Sequence, residues 1–264
     1  MSTSTAPHTV GVVSGKGGVG KTNLAVNVAV AARGLGARVL VVDGDLGLAN
    51  IDVLLGLAST RSAADVLDGR ATLLEAIVVG PRGIHVLPAA SAREDLAALR
   101  PRDLATLLVP LFRAAASYDL VVVDTGPGIG PSVLGLAAAC DRLLLVTTPE
   151  PTAFADAYAM LKVAGRELKD IPVDLVVNET RASHDARRTH HRLCKLTRRF
   201  LAQSPPLLGA VPQDALLAQA VSRQRAVVDS FPSAPSSRVF QKLAARLLES
   251  PRSRIAEAAV ALEA

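Results

Sequence analysis

The stretch SGKGGVGKT, residues 14–22, restricts the fold more than any other part of the chain. It sets four glycines (15, 17, 18 and 20) between a β-branched run, TVGVV (9–13), and a helix-length segment, 21–33. Residues 15–22 fit G-x-x-x-x-G-K-[ST] at every fixed position. Without Cβ atoms the backbone can curl until successive N–H groups point at one anion, and the following helix adds the positive end of its dipole. Lys21 then reaches the β- and γ-phosphates of a nucleotide, and the hydroxyl of Thr22 is placed to ligate Mg²⁺. The bland alternative is a glycine-rich turn, but strand, loop and helix follow in the order that a phosphate site requires. The loop also holds a second lysine, Lys16, for which that scheme has no use.

The rest of the chain supplies the matching frame. RVLVVD (38–43), IHVLP (84–88), DLVVVD (119–124), RLLLVT (142–147), VDLVVN (173–178) and LLGAV (207–211) read as further strands, short and bounded by Gly, Pro or Asp. Helical stretches at 102–117, 152–169, 182–202 and 235–249 alternate with them. This pattern predicts an α/β P-loop fold, a mostly parallel twisted sheet with helices on both faces. Half of the 264 residues are hydrophobic and only 3% aromatic, which suits strands buried on both sides. One domain over 8–249 is expected, with a flexible tail at 1–7 and a C-terminal tail at 250–264. SFPSAPSS (230–237) reads as disordered.

Ligands in such sheets bind beyond the carboxyl ends of the strands, and acidic residues stand there. Asp124 closes a strand about a hundred residues after the loop, the place of a carboxylate that supports the metal. By itself a strand-end Asp is often only a helix cap. TGPGIG follows, suited to sensing a γ-phosphate. Asp43 and Asp45 in VVDGDLG stand two apart, which on extended backbone puts both carboxylates on one side, facing the nucleotide. One can hold metal-bound water while the other orients the attacking water; a solvated acidic turn is the alternative.

With these residues in view, the chain resembles the MinD/ParA family of ATPases. GKGGVGKT with Lys16 is that family's deviant Walker A motif, and DGDLGLANID (43–52) narrows the likeness to its flagellar-number branch, FlhG or FleN. The likeness runs on through IHVLPAAS (84–91), YDLVVVDTGPGI (118–129), VTTPEPTAFADAYAMLK (146–162) and LGAVPQDALLAQAVSRQRAVVD (208–229), covering roughly 8–249. It implies a slow ATPase with ATP and Mg²⁺ as ligands that forms a homodimer around ATP. Lys16 would cross the dimer interface to the partner subunit's phosphates, in the manner of an arginine finger. Gly15, Gly17, Gly18, Val19, Gly20 and Lys21 would cradle the nucleotide's own phosphates, with Gly128 in the switch. Thr22, Asp43 and Asp124 would serve the metal, and Asp45 the attacking water. Glu150 would reach the partner's nucleotide, while Asn178, Pro212 and Asp214 would line the adenine. The resemblance further implies a protein partner in flagellar or other positioning machinery, and a cytoplasmic switch that visits the membrane or the cell pole transiently.

Departures and rivals accompany this reading. The switch has Pro127 where the family pattern has Ala, which stiffens it. The family's Asn-Arg pair reads Asn178-Glu179. A DNA-partition ATPase draws support from RASHDARRTHHRLCKLTRRF (181–200), with seven Lys/Arg, three His and one acidic residue. Spread over a helix, Arg187, Arg188, Arg192, Lys195, Arg198 and Arg199 are not expected to face one way, so part of the stretch reads as solvated surface. A lack of neighbouring aromatics argues against base stacking, and DNA is the disfavoured partner. His190 and His191 are adjacent and make a poor metal pair. The net charge of +5 adds little to the choice.

Cys140 and Cys194 show no metal spacing, which disfavours iron–sulfur relatives and suggests a reducing compartment. No apolar run reaches the ~18–20 residues of a membrane span, and the first residues lack the features of a secretory signal. RSRIAEAAVALEA (252–264) would make a weakly amphipathic helix with little affinity for anionic lipid.

Overall fold

The structure is a computed structural model, and it describes residues 8–47, 49–90, 99, 101–201 and 204–249. The tails expected at 1–7 and 250–264 lie outside the described residues. Eight strands form one sheet: β1 (His8–Val13), β2 (Val39–Gly44), β3 (Val78–Val79), β4 (His85–Leu87), β5 (Leu120–Thr125), β6 (Arg142–Thr147), β7 (Val173–Thr180) and β8 (Leu207–Pro212). Their order is β3-β4-β2-β5-β1-β6-β7-β8, parallel throughout except for the two-residue edge strand β3, which runs antiparallel to β4.

Both faces of the sheet are covered because the strands are apolar at odd and even positions alike. Val10, Val12, Val41, Val122, Leu144 and Val146 point to one core, while Val13, Leu40, Val42, Val121, Leu143 and Leu145 point to the other. The first core is roofed by α1 (Lys21–Gly34), by α2 (Ile51–Leu55) and by the C-terminal helices α9 (Ala215–Ser222), α10 (Val227–Ser230) and α11 (Pro235–Glu249). The second lies under α3 (Ala63–Leu67), α4 (Leu73–Ala76), α5 (Pro101–Ala115), α6 (Pro131–Ala138), α7 (Pro151–Glu167) and α8 (Asp185–Leu201). Helices α2, α3, α4, α6, α9 and α10, each of eight residues or fewer, are absent from the sequence reading. They are too short to show a helical period of their own.

The segment 230–237 differs from expectation. Ser236 and Ser237 are completely buried and Ala234 nearly so. The Asp214 carboxylate accepts from the Ser236 N–H (3.0 Å) and hydroxyl (2.6 Å), and the Ser237 hydroxyl donates to the Phe231 carbonyl (2.8 Å). Ser and Pro here form the entrance to α11, where the Asp214 carboxylate takes a helix-start N–H group. Composition alone does not distinguish such a cap from a linker.

Helix α8 also corrects the reading of its charges. Its buried stripe, Ala186, Thr189, Leu193, Cys194 and Thr197, leaves Arg187, Arg188, Arg192, Lys195, Arg198 and Arg199 on the exposed side. At about 100° per residue these six fall within an arc of about 140°, so they do face one way. Aromatics are present too: the Arg192 guanidinium lies 5.0 Å from the Phe154 ring centre, and that of Arg199 lies 5.1 Å from Phe200, which is exposed.

Replacing the buried hydroxyl tests the 230–237 assignment. Ser236→Ala should lower stability by about 1–2 kcal/mol, the cost of leaving a half-buried carboxylate short of a donor. Urea unfolding measures it, and an unchanged midpoint would mean that the segment is not packed as described.

Candidate functional site

Strand order decides what meets at the carboxyl edge. β1 lies between β5 and β6, and β2 lies beside β5, so the loop leaving β1 hangs over the ends of β5 and β2. Val12 of β1 registers with Asp124, and Asp124 registers with Asp43. Two carboxylates therefore stand on neighbouring strands beneath the glycine loop, both essentially without solvent exposure.

Asp43 is turned into the chain that follows it. One of its oxygens accepts the Asp45 N–H (3.2 Å), and the other accepts those of Asn50 (3.0 Å) and Ile51 (3.1 Å) at the start of α2. Asp45, in contrast, lines the cavity above the loop and stands close to Gly126. The two carboxylates thus do not share one side. β2 ends at Gly44, and the alternation of an extended strand ends with it.

Asp124 takes a hydrogen bond from the Thr22 hydroxyl and feels the Lys21 ammonium, which is itself buried. Its Oδ1 is buried and receives no hydrogen bond. Burial pushes Asp124 up to about 6, Lys21 and Thr22 holding it back and the charge of Asp45 adding to the push. Burial likewise raises Asp43 to about 7, helped by the Asp124 charge and opposed by its three N–H donors. An acceptor oxygen without a donor, beside a threonine hydroxyl and a lysine, suits a hydrated divalent cation. Among the described residues no group of three or more His, Cys, Asp or Glu forms a metal cage. A cation held chiefly by phosphate oxygens and water needs none.

The cavity, of about 480 Å³, is lined by Gly17, Gly18, Gly20, Lys21, Thr22 and Asn23 on the loop side. Asp45, Asn50, Val53 and Leu54 form a second wall, with Pro127, Val221 and Gln224 closing the rest. The switch segment leans on the loop and on β1: the Gly128 N–H donates to the Ser14 carbonyl (2.9 Å), and the Thr125 hydroxyl donates to the Val12 carbonyl (3.0 Å). Gly15 packs so tightly on α7 that a Cβ would overlap the Asp156 backbone, so only glycine fits there.

The two lysines part company. Lys16 is not among the cavity-lining residues. Its ammonium donates to the Thr152 hydroxyl (3.0 Å) and pairs with Glu150 (3.6 Å), in the open at the start of α7. Lys16 and Glu150 are therefore neighbours, which their separation in sequence did not suggest. Asn178, Pro212 and Asp214 are not among the cavity-lining residues either. Asp214 caps α9 through the Leu216 N–H (2.9 Å) and holds Ser236, while the Asn178 amide donates to the Val19 carbonyl (2.9 Å). Asn50, Val53, Val221 and Gln224 were missed as lining residues, because nothing in their types marks a nucleotide wall. His190 donates to or accepts from Cys194 and contacts the Pro205 carbonyl, whereas His191 is turned elsewhere, so the two histidines do point apart. Cys140 and Cys194 are both buried and unpaired with each other.

The raised carboxyls predict a pH dependence. Both bind protons more tightly folded than unfolded, where the ordinary value is 3.8. Their contribution is complete below that value and is lost as pH rises through about 6 and 7. The nucleotide-free protein should melt about 3–10 °C lower at pH 8 than at pH 5, a slope that Asp124→Asn should reduce. Calorimetry across that range checks it, and a flat profile would contradict the electrostatics described.

Comparison with known proteins agrees with this fold. The ParA family profile, described as the NUBPL iron-transfer P-loop NTPase, matches residues 5–248. The antiactivator FleN of Pseudomonas aeruginosa is 40% identical over 238 residues, 90% of this chain and 85% of FleN. The flagellum site-determining protein YlxH of Helicobacter pylori is 32% identical over 240 residues, 90% of this chain and 81% of YlxH. Among solved structures, the septum site-determining protein MinD of Pyrococcus horikoshii, complexed with Mg-ADP, superposes with a TM-score of 0.77 at 25% identity, covering 96% of this chain and 98% of that one.

Proposed function

The chain belongs to the ParA/MinD family of P-loop NTPases, and on that ground we propose that it is an ATP-driven dimerisation switch of the FleN type, setting the number or placement of flagella. The observation that carries this reading is the opposite aim of two lysines in one loop. Lys21 is buried against Asp124, where it serves its own nucleotide. Lys16 stands outside the cavity with Glu150, where it can serve a phosphate only if a second subunit brings one.

ATP binds with its phosphates on the N–H groups of the glycine loop and on Lys21. Thr22, with Asp124 and Asp43, would hold Mg²⁺, which neutralises phosphate charge when bound. Asp45, on the wall beside Gly126, orients the water that attacks the terminal phosphate. For Gly128 to present its N–H to a γ-phosphate it must release the Ser14 carbonyl, so the state of the switch follows the state of the nucleotide. Lys16 from the partner subunit completes the charge balance, which makes hydrolysis wait for the dimer. A homodimer formed on ATP, acting in the cytoplasm with transient visits to membrane or pole and with a partner of the flagellar machinery, follows from the same likeness. No helix among the described residues is long and apolar enough to cross a membrane.

The cationic face of α8 favours one second reading, a DNA-partition ATPase. DNA held there would require the ATP dimer and would weaken steeply with salt, each lost phosphate contact lowering the slope of log K against log salt by about one unit. We expect instead no DNA binding tighter than micromolar at physiological salt. A complex abolished by Arg187→Glu, Arg192→Glu and Lys195→Glu would favour partition over flagellar control.

Two substitutions in the loop test the switch. Lys16→Ala should still bind ATP but lose ATP-dependent dimerisation and at least about 10²-fold in turnover. Lys21→Ala should lose binding itself. Light scattering with a non-hydrolysable ATP analogue reads the first effect, and equal dimerisation of Lys16→Ala and the parent would sink the trans assignment. Asp45→Ala should trap the ATP dimer, with hydrolysis slowed by about 10²–10⁴-fold. Turnover at the parent rate would reduce Asp45 to an acidic turn residue.

A further inference from the structure

Where β7 parts from β8, the ladder slips: Val177 pairs with Ala210, yet the next pairing is Thr180 with Pro212. Two residues, Asn178 and Glu179, thus oppose one, which is a β-bulge. Glu179 takes a φ of +56°, a left-handed conformation that a non-glycine residue adopts at a cost. Bulges re-aim side chains, and in this one the Asn178 side chain leaves the sheet for the phosphate loop.

Asn178 is 6% exposed, and its amide Nδ2 donates to the Val19 carbonyl at 2.9 Å. Val19 is itself buried, in the last turn of the loop before α1. The next residue, Gly20, has a φ of +87°, and a Cβ on it would overlap the Asn178 amide. The loop glycine and the asparagine therefore fit against each other, and the contact joins β7 to a loop that leaves β1, two strands away. Loop N–H groups can point at one anion only while the carbonyls between them are held in the opposite sense. Asn178 holds one of those carbonyls.

We propose that Asn178 is a positioning residue for the phosphate loop, a brace that keeps the Val19 carbonyl turned away from the anion, whatever base the nucleotide carries. The proposal rests on the reading of the loop as a nucleotide site. It departs from an adenine contact in a way that a ligand without a base exposes. A brace on the loop governs the affinity of every phosphate ligand alike. A contact to the base governs only ligands that carry one.

Asn178→Ala and Asn178→Leu, the second retaining bulk, are compared with the parent for binding of Mg-pyrophosphate and Mg-ADP by titration calorimetry, with thermal melting as the check on folding. The expected result is a weakening of both ligands by a similar factor, on the order of tenfold. Hydrogen–deuterium exchange should also rise at residues 17–21 in the free variants while α11 remains unchanged. Pyrophosphate binding at the parent level with ADP weakened would overturn the brace in favour of a base contact. Unchanged affinity for both ligands would overturn it in favour of plain packing. If neither variant folds but Asn178→Ser does, the serine variant is read by the same two ligands and the same criteria. Failure of the parent itself to bind Mg-ADP is a separate result, and it would remove the nucleotide reading rather than the brace alone.

Discussion

The structure depends on a pair of like charges in a place that offers little to compensate them. Asp43 and Asp124 stand side by side across the β2–β5 ladder, at the carboxyl edge of a sheet covered on both sides by aliphatic side chains. An ionised carboxylate there must be paired, hydrogen-bonded or protonated. Asp43 is met by three backbone N–H groups, and Asp124 by Lys21 and Thr22, but both stay well above the ordinary carboxyl range. Such a pair persists only if function keeps it, and a cation on phosphate is what would balance it. The strand order follows from that need, since β2, β5 and β1 must be neighbours for the carboxylates and the loop to meet.

Around that centre the loop is fastened from three sides. The Gly15 backbone lies against α7, the Val19 carbonyl takes the Asn178 amide, and the Ser14 carbonyl takes the Gly128 N–H. Two of these contacts come from fixed elements and one from the switch. A change at the γ-phosphate can therefore reach Gly128 without loosening the rest of the cradle. Lys16 belongs to the same loop, but its ammonium is held by an exposed contact with Thr152 and Glu150, of the kind that contributes little to stability. In the proposed switch it exchanges that contact for a phosphate on a second subunit.

Much of this was legible in the sequence because each strand is short, β-branched and bounded by breakers. The seven runs from TVGVV to LLGAV correspond to β1, β2, β4, β5, β6, β7 and β8, and the glycine loop leads into α1 at Lys21. What stayed hidden depends on tertiary contact. Asp43 and Asp45 look alike in VVDGDLG, but only the end of β2 at Gly44 turns one into the chain and the other onto the cavity. SFPSAPSS has a linker's composition, and the Asp214 carboxylate that orders it lies elsewhere in the sequence. The six cations of α8 look scattered when read along the chain, yet they align once the buried stripe fixes the rotation of the helix. The role of Asn178 depends on a bulge, and one sequence carries no mark of register.

The central claim is that one subunit's lysine completes the other's site, and mixing two inactive chains tests it most directly. Lys16→Ala keeps its own Asp45, and Asp45→Ala keeps its Lys16, so a hybrid dimer has one site with both groups. Lys16→Ala does not pair with itself, so an excess of it, mixed with Asp45→Ala before ATP is added, favours hybrids with one complete site of two, and ATP turnover should rise well above the sum of the two variants measured separately. A mixture no more active than the two variants measured separately would mean that Lys16 acts within its own subunit, and the trans-acting lysine would be contradicted.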